Sequence, residues 1–207
     1  MDYKILTIRL ISSFFLICII FPLVFFYNES ILFILLFLYL IIFYEIKNFF
    51  NYKKNLIYSY LLLSFISSSI YLIFFFNLNL FLYLVLTIIL FDTYSYVLGS
   101  LFGTKKIFPI ISPNKTYFGF IFGYFFTIIS LFFINEFYIL NYSFYKFFAI
   151  SSLIIFFAII GDLIESFFKR KSNIKDSSNL IPGHGGFFDR FDSYLFASFI
   201  LPISILI

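Results

Sequence analysis

Apolar residues in this chain come in runs separated by short polar gaps, and a run of roughly 20 is the length at which a helix crosses the hydrocarbon core of a bilayer. Seven such runs can be laid out, at about 9–27, 30–46, 56–76, 80–102, 118–134, 146–164 and 191–207, with ends set to within a few residues. In lipid a helix satisfies its own backbone hydrogen bonds, so the pattern predicts an all-α polytopic membrane bundle of about seven transmembrane helices. Pro22 interrupts the first run, where a kink is tolerable in a membrane helix. Leu10 to Tyr27 is long for a signal core, lacks a small-residue cleavage site and is followed at once by another apolar run, so it is expected to be a retained helix. With no soluble segment, linker or internal repeat in the pattern, residues 1–207 are expected to form a single membrane-embedded domain, with N-terminal helices over 1–79 and a motif-bearing half over 80–207.

Composition agrees: 63% of residues are apolar and 12% charged, more apolar surface than a soluble globule can hide. Phe and Tyr abound while Trp is absent, so aromatic frequency is background rather than signal. Charge adds orientation. With the N-terminus cytoplasmic, Lys4, Arg9, Lys47, Lys53, Lys54, Lys105, Lys106, Lys115, Lys169, Arg170, Lys171, Lys175 and Arg190 fall on the inner side, Lys146 falls outside, and the short outer connections carry Glu29 and Glu136. This is the positive-inside asymmetry. The net charge of +4, grouped in these gaps, points to anionic partners at the membrane and gives no support for nucleic acid. The single cysteine, Cys18, excludes a disulfide or a cysteine metal site within one chain.

Chemistry must therefore lie in the gaps, and two are rich in polar residues: 103–119 and 161–193. The charge pattern puts both on one side. If the sixth run continues as a helix past the membrane, Asp162, Glu165, Ser166 and Lys169 share a face, spaced i, i+3, i+4 and i+7. Pro182-Gly183-His184-Gly185-Gly186 cannot be regular helix, and its glycines let backbone amides approach phosphate oxygens. Asp189 and Asp192 follow, three apart. Carboxylates in separated segments beside lysines, arginines and a Gly-rich turn suit a magnesium–triphosphate site. In the other gap, Pro113 breaks regular structure and Thr116 is placed to cap a helix from Tyr117, with Lys115 and free amides as a phosphate seat. Gly99, Gly103, Gly119 and Gly123 are expected to pack helices closely. Asp92, within or near the end of the fourth run, divides evenly between a site role and a buried hydrogen-bonded one.

These residues resemble a known family. Ser166, Lys169-Arg170, Lys175-Asp176, the Pro182–Gly186 turn and Asp189-Arg190-Phe191-Asp192 are similar, spacing included, to the C-terminal signature of the phosphatidate cytidylyltransferases, also called CDP-diacylglycerol synthases. Ser112-Pro113-Asn114-Lys115-Thr116-Tyr117-Phe118-Gly119 resembles the family's upstream motif, except that Phe118 stands where an acid is expected. The likeness covers Asp92 to Ser193; before it, Glu45 is a lone family-like acid, and the chain is short enough to predict that a peripheral helix is missing. The resemblance implies transfer of CMP from CTP to phosphatidate, with Mg²⁺ and room for a second metal ion. Metal ligands would be Asp162 and Asp189, with Asp192 and Asp176 secondary. Lys169, Arg170, Lys175, Arg190 and the His184, Gly185, Gly186 turn would contact phosphates, and Ser112, Lys115, Thr116 and Ser166 would complete the substrate site. The implied partners are CTP, phosphatidate and membrane lipids, with a homodimer left open. The implied location is the bacterial inner membrane, with the site on the cytoplasmic side. Rival readings are a CTP-dependent polyprenol or dolichol kinase and a catalytically weakened relative. A transporter would explain Asp92 but not the clustering of the other acids in two gaps.

Overall fold

The computed structural model describes residues 30–75, 77–137, 143–181 and 185–203. The first apolar run with Cys18 and Pro22, the N-terminus, Asn28 to Glu29 and the Pro182-Gly183-His184 stretch lie outside the described residues. In chain order the elements are α1 (Ser30–Phe49), α2 (Lys54–Phe74), α3 (Leu78–Phe102), β1 (Lys106–Phe108), β2 (Ser112–Thr116), α4 (Tyr117–Phe137), α5 (Phe144–Lys171), α6 (Phe188–Ala197) and α7 (Ile200–Ile203). The structure is mostly helical, and α1 to α5 are long and apolar enough to cross a membrane. Large side chains such as Phe33, Phe37, Ile73 and Phe125 remain exposed on their outer faces, which suits helices whose solvent is lipid.

In its described part, up to residue 203, the last apolar run is not one continuous helix: the chain forms the ten-residue α6, a turn, and α7. Pro202 accounts for the break: a proline has no N–H to return to the carbonyl four residues earlier, and its ring crowds that carbonyl. Here that carbonyl belongs to Ser198, which instead accepts hydrogen bonds from Ser67 Oγ at 3.1 Å and Leu201 N at 3.1 Å. Five spanning helices are thus seen among the described residues, against about seven expected.

A second departure from an all-α reading is the hairpin β1–β2, antiparallel, with Lys106 paired to Thr116 and Phe108 to Ser112. Its end hands the chain directly to α4, where Thr116 Oγ1 accepts from Gly119 N at 3.2 Å and so caps the helix as anticipated.

Packing explains how the polar ends are brought together. α3 and α4 make the most extensive helix contact, through the glycines: a Cβ on Gly119 would strike the Ser95 carbonyl and lie 2.9 Å from Gly99 Cα, and one on Gly123 would lie 2.9 Å from Ser95 Cα. Gly161 does the same between α5 and α6, its missing side chain leaving room for the Asp192 carbonyl. One core cluster joins Ile42, Ile46 and Phe50 of α1 and its exit, Ile57 and Leu61 of α2, Phe168 of α5, and Phe188 and Leu195 of α6. Buried hydroxyls reinforce it: Tyr39 Oη lies 2.6 Å from Ser64 Oγ, which donates to Leu195 O at 2.6 Å. At the polar end, Asn51 N and Tyr52 N donate to Ser172 Oγ at 3.4 and 3.3 Å, tying the α1–α2 connection to the end of α5.

Gly119→Val should therefore force α3 and α4 apart and lower stability by roughly 1–3 kcal/mol, the usual cost of overpacking. Ser100→Ala, at an exposed position on α3, should change stability by less than about 0.5 kcal/mol. Thermal unfolding of the full chain in detergent measures both.

Candidate active site

The close α3–α4 and α5–α6 contacts leave a cavity of about 290 Å³ at the hairpin end of the bundle, lined by residues from α3, the hairpin, α4, α5 and α6. Asp92, Asp162, Asp189, Asp192, Lys115, Ser112, Thr116 and Ser193 supply its polar wall, and Phe91, Phe120 and Ile159 part of its apolar one. The two polar gaps therefore meet, and two contacts fix the meeting. Lys115 Nζ forms an ion pair with Asp162, and Arg170 Nε donates to Ile111 O at 3.3 Å.

The i, i+3, i+4, i+7 face of α5 is present. Ser166 Oγ donates to Asp162 Oδ1 at 3.2 Å, orienting that carboxylate into the cavity. One turn on, Lys169 Nζ lies 2.6 Å from Glu165 Oε2 and 2.6 Å from Asp189 Oδ1, so a single ammonium joins α5 to the first turn of α6. The other oxygen of Asp189 accepts from Ser177 N at 2.8 Å, Ser177 Oγ at 2.9 Å and Gly186 N at 2.8 Å. Burial by itself would raise the Asp189 carboxyl, but the Lys169 charge and these hydrogen bonds outweigh it and hold the group below the usual range. Asp192 is the opposite case. Burial pushes it well above the usual range, and the nearby Asp162 and Asp92 carboxylates push it further.

Not every anticipated residue reaches the cavity. Lys175, Asp176, Arg170 and Arg190 are exposed and do not line it. Gly185 adopts φ +84°, a conformation suited to glycine, and pairs with Ile181 across a bridge in which Ile181 N donates to Gly185 O at 2.9 Å. Gly186 N, expected to face a phosphate, is engaged by Asp189. His184 lies outside the described residues. Phe118 is part-buried, its ring stacked on Phe122 at 4.2 Å between centroids and 5.4 Å from Phe102, and it too stands off the cavity wall. Three residues had been given less than their place: Asp92 and Ser193, which face the cavity with Ser193 Oγ 3.5 Å from Asp92 Oδ2, and Ser177, whose pattern in sequence is that of any loop serine.

The wall fits a hard divalent cation in its donors. Four aspartates face one lysine around the cavity. Lys169 holds Asp189 and Lys115 pairs with Asp162, which leaves Asp92 and Asp192 as the cavity acids with no ion pair among the described residues. No three His, Cys, Asp or Glu side chains among the described residues converge as a ready ligand set. Mg²⁺ would need no such set, since it keeps waters and is commonly held by one or two carboxylates together with substrate phosphates.

A profile described as the cytidylyltransferase family matches residues 54–207. The chain belongs to the cytidylyltransferase family. Among curated relatives, it is 40% identical over 131 residues to phosphatidate cytidylyltransferases of Staphylococcus haemolyticus (strain JCSC1435) and Staphylococcus aureus (strain COL). It is 39% identical over 127 residues to that of Staphylococcus saprophyticus. Each match takes in 61% of this chain and 48% of the relative, so the chain spans about half the length of the relatives it matches. All of the cavity-lining residues fall within the family match; Glu45 does not.

Because Phe118 sits in an aromatic stack rather than on the cavity wall, an acid placed there should destabilise the fold rather than improve the site. Phe118→Glu should cost roughly 1–3 kcal/mol of stability through lost ring contacts and a poorly solvated charge, and Phe118→Leu less. Unfolding in detergent measures the difference; a Glu variant as stable as the parent would place Phe118 in water.

Proposed function

We propose that the chain transfers a cytidylyl group from CTP to phosphatidate, giving CDP-diacylglycerol and pyrophosphate. The observation that carries this reading is the cavity itself: aspartates of α3, α5 and α6 and Lys115 of the hairpin share one wall at the polar end of a membrane bundle. The substrates are suggested by the relatives, which are phosphatidate cytidylyltransferases. One substrate is a lipid phosphate that stays in the bilayer and the other a soluble triphosphate, so the site has to lie at the interface. The basic connections at that end, with Lys53, Lys105, Lys106, Lys171 and Lys175, favour the cytoplasmic side by the positive-inside rule, and the reading is of a bacterial inner (cell) membrane protein.

In this reading a phosphatidate oxygen attacks the α-phosphorus of CTP, the bond to the β-phosphate oxygen breaks, and pyrophosphate leaves. The attacking phosphate is already anionic at neutral pH, so no strong general base is needed. Catalysis rests on holding two anions together and on offsetting charge at the leaving group. Asp162 and Asp189 would hold Mg²⁺, with Asp192, and less directly Asp176, as further acids. When bound, the ion supplies Lewis-acid charge stabilisation at the phosphates. Lys115 and Ser112 sit where they would meet a phosphate entering from the hairpin side, and Ser166 keeps Asp162 turned inward. Lys169 holds Asp189 in its ionised form. Asp92 of α3, facing the same space, would offer one more carboxylate to the ion.

The test is to incubate the purified chain in detergent with labelled CTP, Mg²⁺ and either phosphatidate or a polyprenol. Labelled lipid carrying the cytidine is the expected product; a phosphorylated polyprenol would favour the lipid-kinase reading instead. For sidedness, single cysteines at Lys171 and Tyr145 in a Cys18→Ser background should label from opposite faces with an impermeant thiol reagent. Labelling of position 171 from outside intact cells would reverse the orientation.

A further inference from the structure

Glu45 stands outside the family match, yet it is fully buried, at 0% exposure, near the end of α1. Its carboxylate accepts three hydrogen bonds from the segment that leads into α6 and its first turn, and a fourth donor is shared. Oε1 takes Ser178 Oγ at 2.6 Å and Phe187 N at 2.8 Å, Oε2 takes Phe188 N at 2.8 Å, and Ser177 Oγ, 3.3 Å from Oε2, has one proton to divide between Glu45 and the nearer Asp189. Among the described residues no lysine or arginine forms an ion pair with it. A buried carboxylate held only by dipoles is costly unless those dipoles are fixed in place.

What they fix is the start of α6. The helix has no side-chain cap of its own at Phe187, and Glu45 supplies the missing acceptor from another helix, where its charge also meets the positive end of the helix dipole. Ser177 then carries the constraint further, since its Oγ faces both Glu45 Oε2 and Asp189 Oδ2. Gly186 closes the arrangement: a Cβ there would lie 2.6 Å from Glu45 Oε1 and 2.7 Å from Ser178 Oγ, so only glycine lets the carboxylate and the turn approach this closely.

We propose that Glu45 is a positioning residue for the site: by clamping the Ser177–Ser178 segment and the first turn of α6 together, it sets where the Asp189 carboxylate sits. It does not face the cavity and touches no reacting group. The turnover part of its test rests on the cytidylyl-transfer reading; the ion-binding part does not.

The full chain in detergent, Glu45→Gln and Glu45→Asp are compared by thermal unfolding, by turnover, and by Mn²⁺ binding read from the loss of the free-ion electron paramagnetic resonance signal without any substrate. Outer partners of metal ligands usually matter by 10–100-fold, so folded Glu45→Gln should lose about tenfold in kcat and bind Mn²⁺ at least about fivefold more weakly. The KM for phosphatidate should stay within about twofold, and Glu45→Asp, which keeps the carboxylate, should recover part of both losses. If Glu45→Gln does not fold, Ser177→Ala and Ser178→Ala decide. Ser177→Ala cuts the hydroxyl shared with Asp189 and should weaken Mn²⁺ binding clearly more than Ser178→Ala, whose hydroxyl meets Glu45 and Leu180 N but not Asp189. Equal effects of the two serine changes would overturn the proposal. So would Mn²⁺ binding and kcat in folded Glu45→Gln within about twofold of the parent, or a loss of activity matching the unfolded fraction. Failure of the parent chain to make a cytidine lipid would sink the substrate reading alone, and the Mn²⁺ comparison would still decide the role of Glu45.

Discussion

The Lys169 ammonium, shared by Glu165 of its own helix and Asp189 of the next at 2.6 Å each, is the interaction on which the site depends. Two carboxylates this buried would repel each other and resist ionisation; one cation between them makes both tolerable. Removing one partner of such a buried group typically costs roughly 3–5 kcal/mol, because the charge left behind has nowhere to go. The pairing also decides geometry. It draws the start of α6 against the end of α5, where Gly161 allows close approach, and thereby turns Asp189 and Asp192 toward the cavity that Asp162 already faces.

Around this pairing the acids divide into two kinds. Glu45 and Asp189 are saturated by donors and act as structural anchors of the loop before α6. Asp92, Asp162 and Asp192 face the cavity with Lys115 as the cation in its wall, and Asp192 is pushed up first by its burial and then by its acidic neighbours. In the proposed chemistry a divalent ion would let these acids share one space and would offset the charge of the incoming phosphates. Asp189 thus stands on the border: its Oδ2 is engaged three times by the protein, and its service as a ligand in the proposed chemistry would come through Oδ1 or through a shift of Lys169.

Much of this was legible in the sequence because it follows from period and spacing. The second to sixth apolar runs became α1 to α5, the four-residue glycine spacings became the α3–α4 contact, and Asp162, Ser166 and Lys169 lie along one face of α5. Charge asymmetry alone put the two gaps on one side, where Lys115 does meet Asp162. What was not legible depends on tertiary partners. A three-residue strand such as Lys106–Phe108 has too little alternation to declare itself, and Pro202 reads as one more residue of an apolar run until its crowding of Ser198 is seen. Phe118 occupies a motif position but takes its environment from Phe102 and Phe122. Glu45 finds its donors more than a hundred residues away, a relation that no local pattern carries.

Convergence of α5 and α6 on one ion is the central claim, and the most direct measurement is a double-substitution cycle on Asp162 and Asp189. Asp162→Asn, Asp189→Asn and the pair together are assayed for cytidylyl transfer at saturating lipid across a Mg²⁺ series. Each change keeps the volume and lowers the ligand charge, so each alone should cut turnover by about a hundredfold or more, and the double change should be little worse than either, as expected of groups acting as a unit. Losses that multiply, or near-normal turnover of Asp189→Asn at ordinary Mg²⁺, would contradict a shared ion.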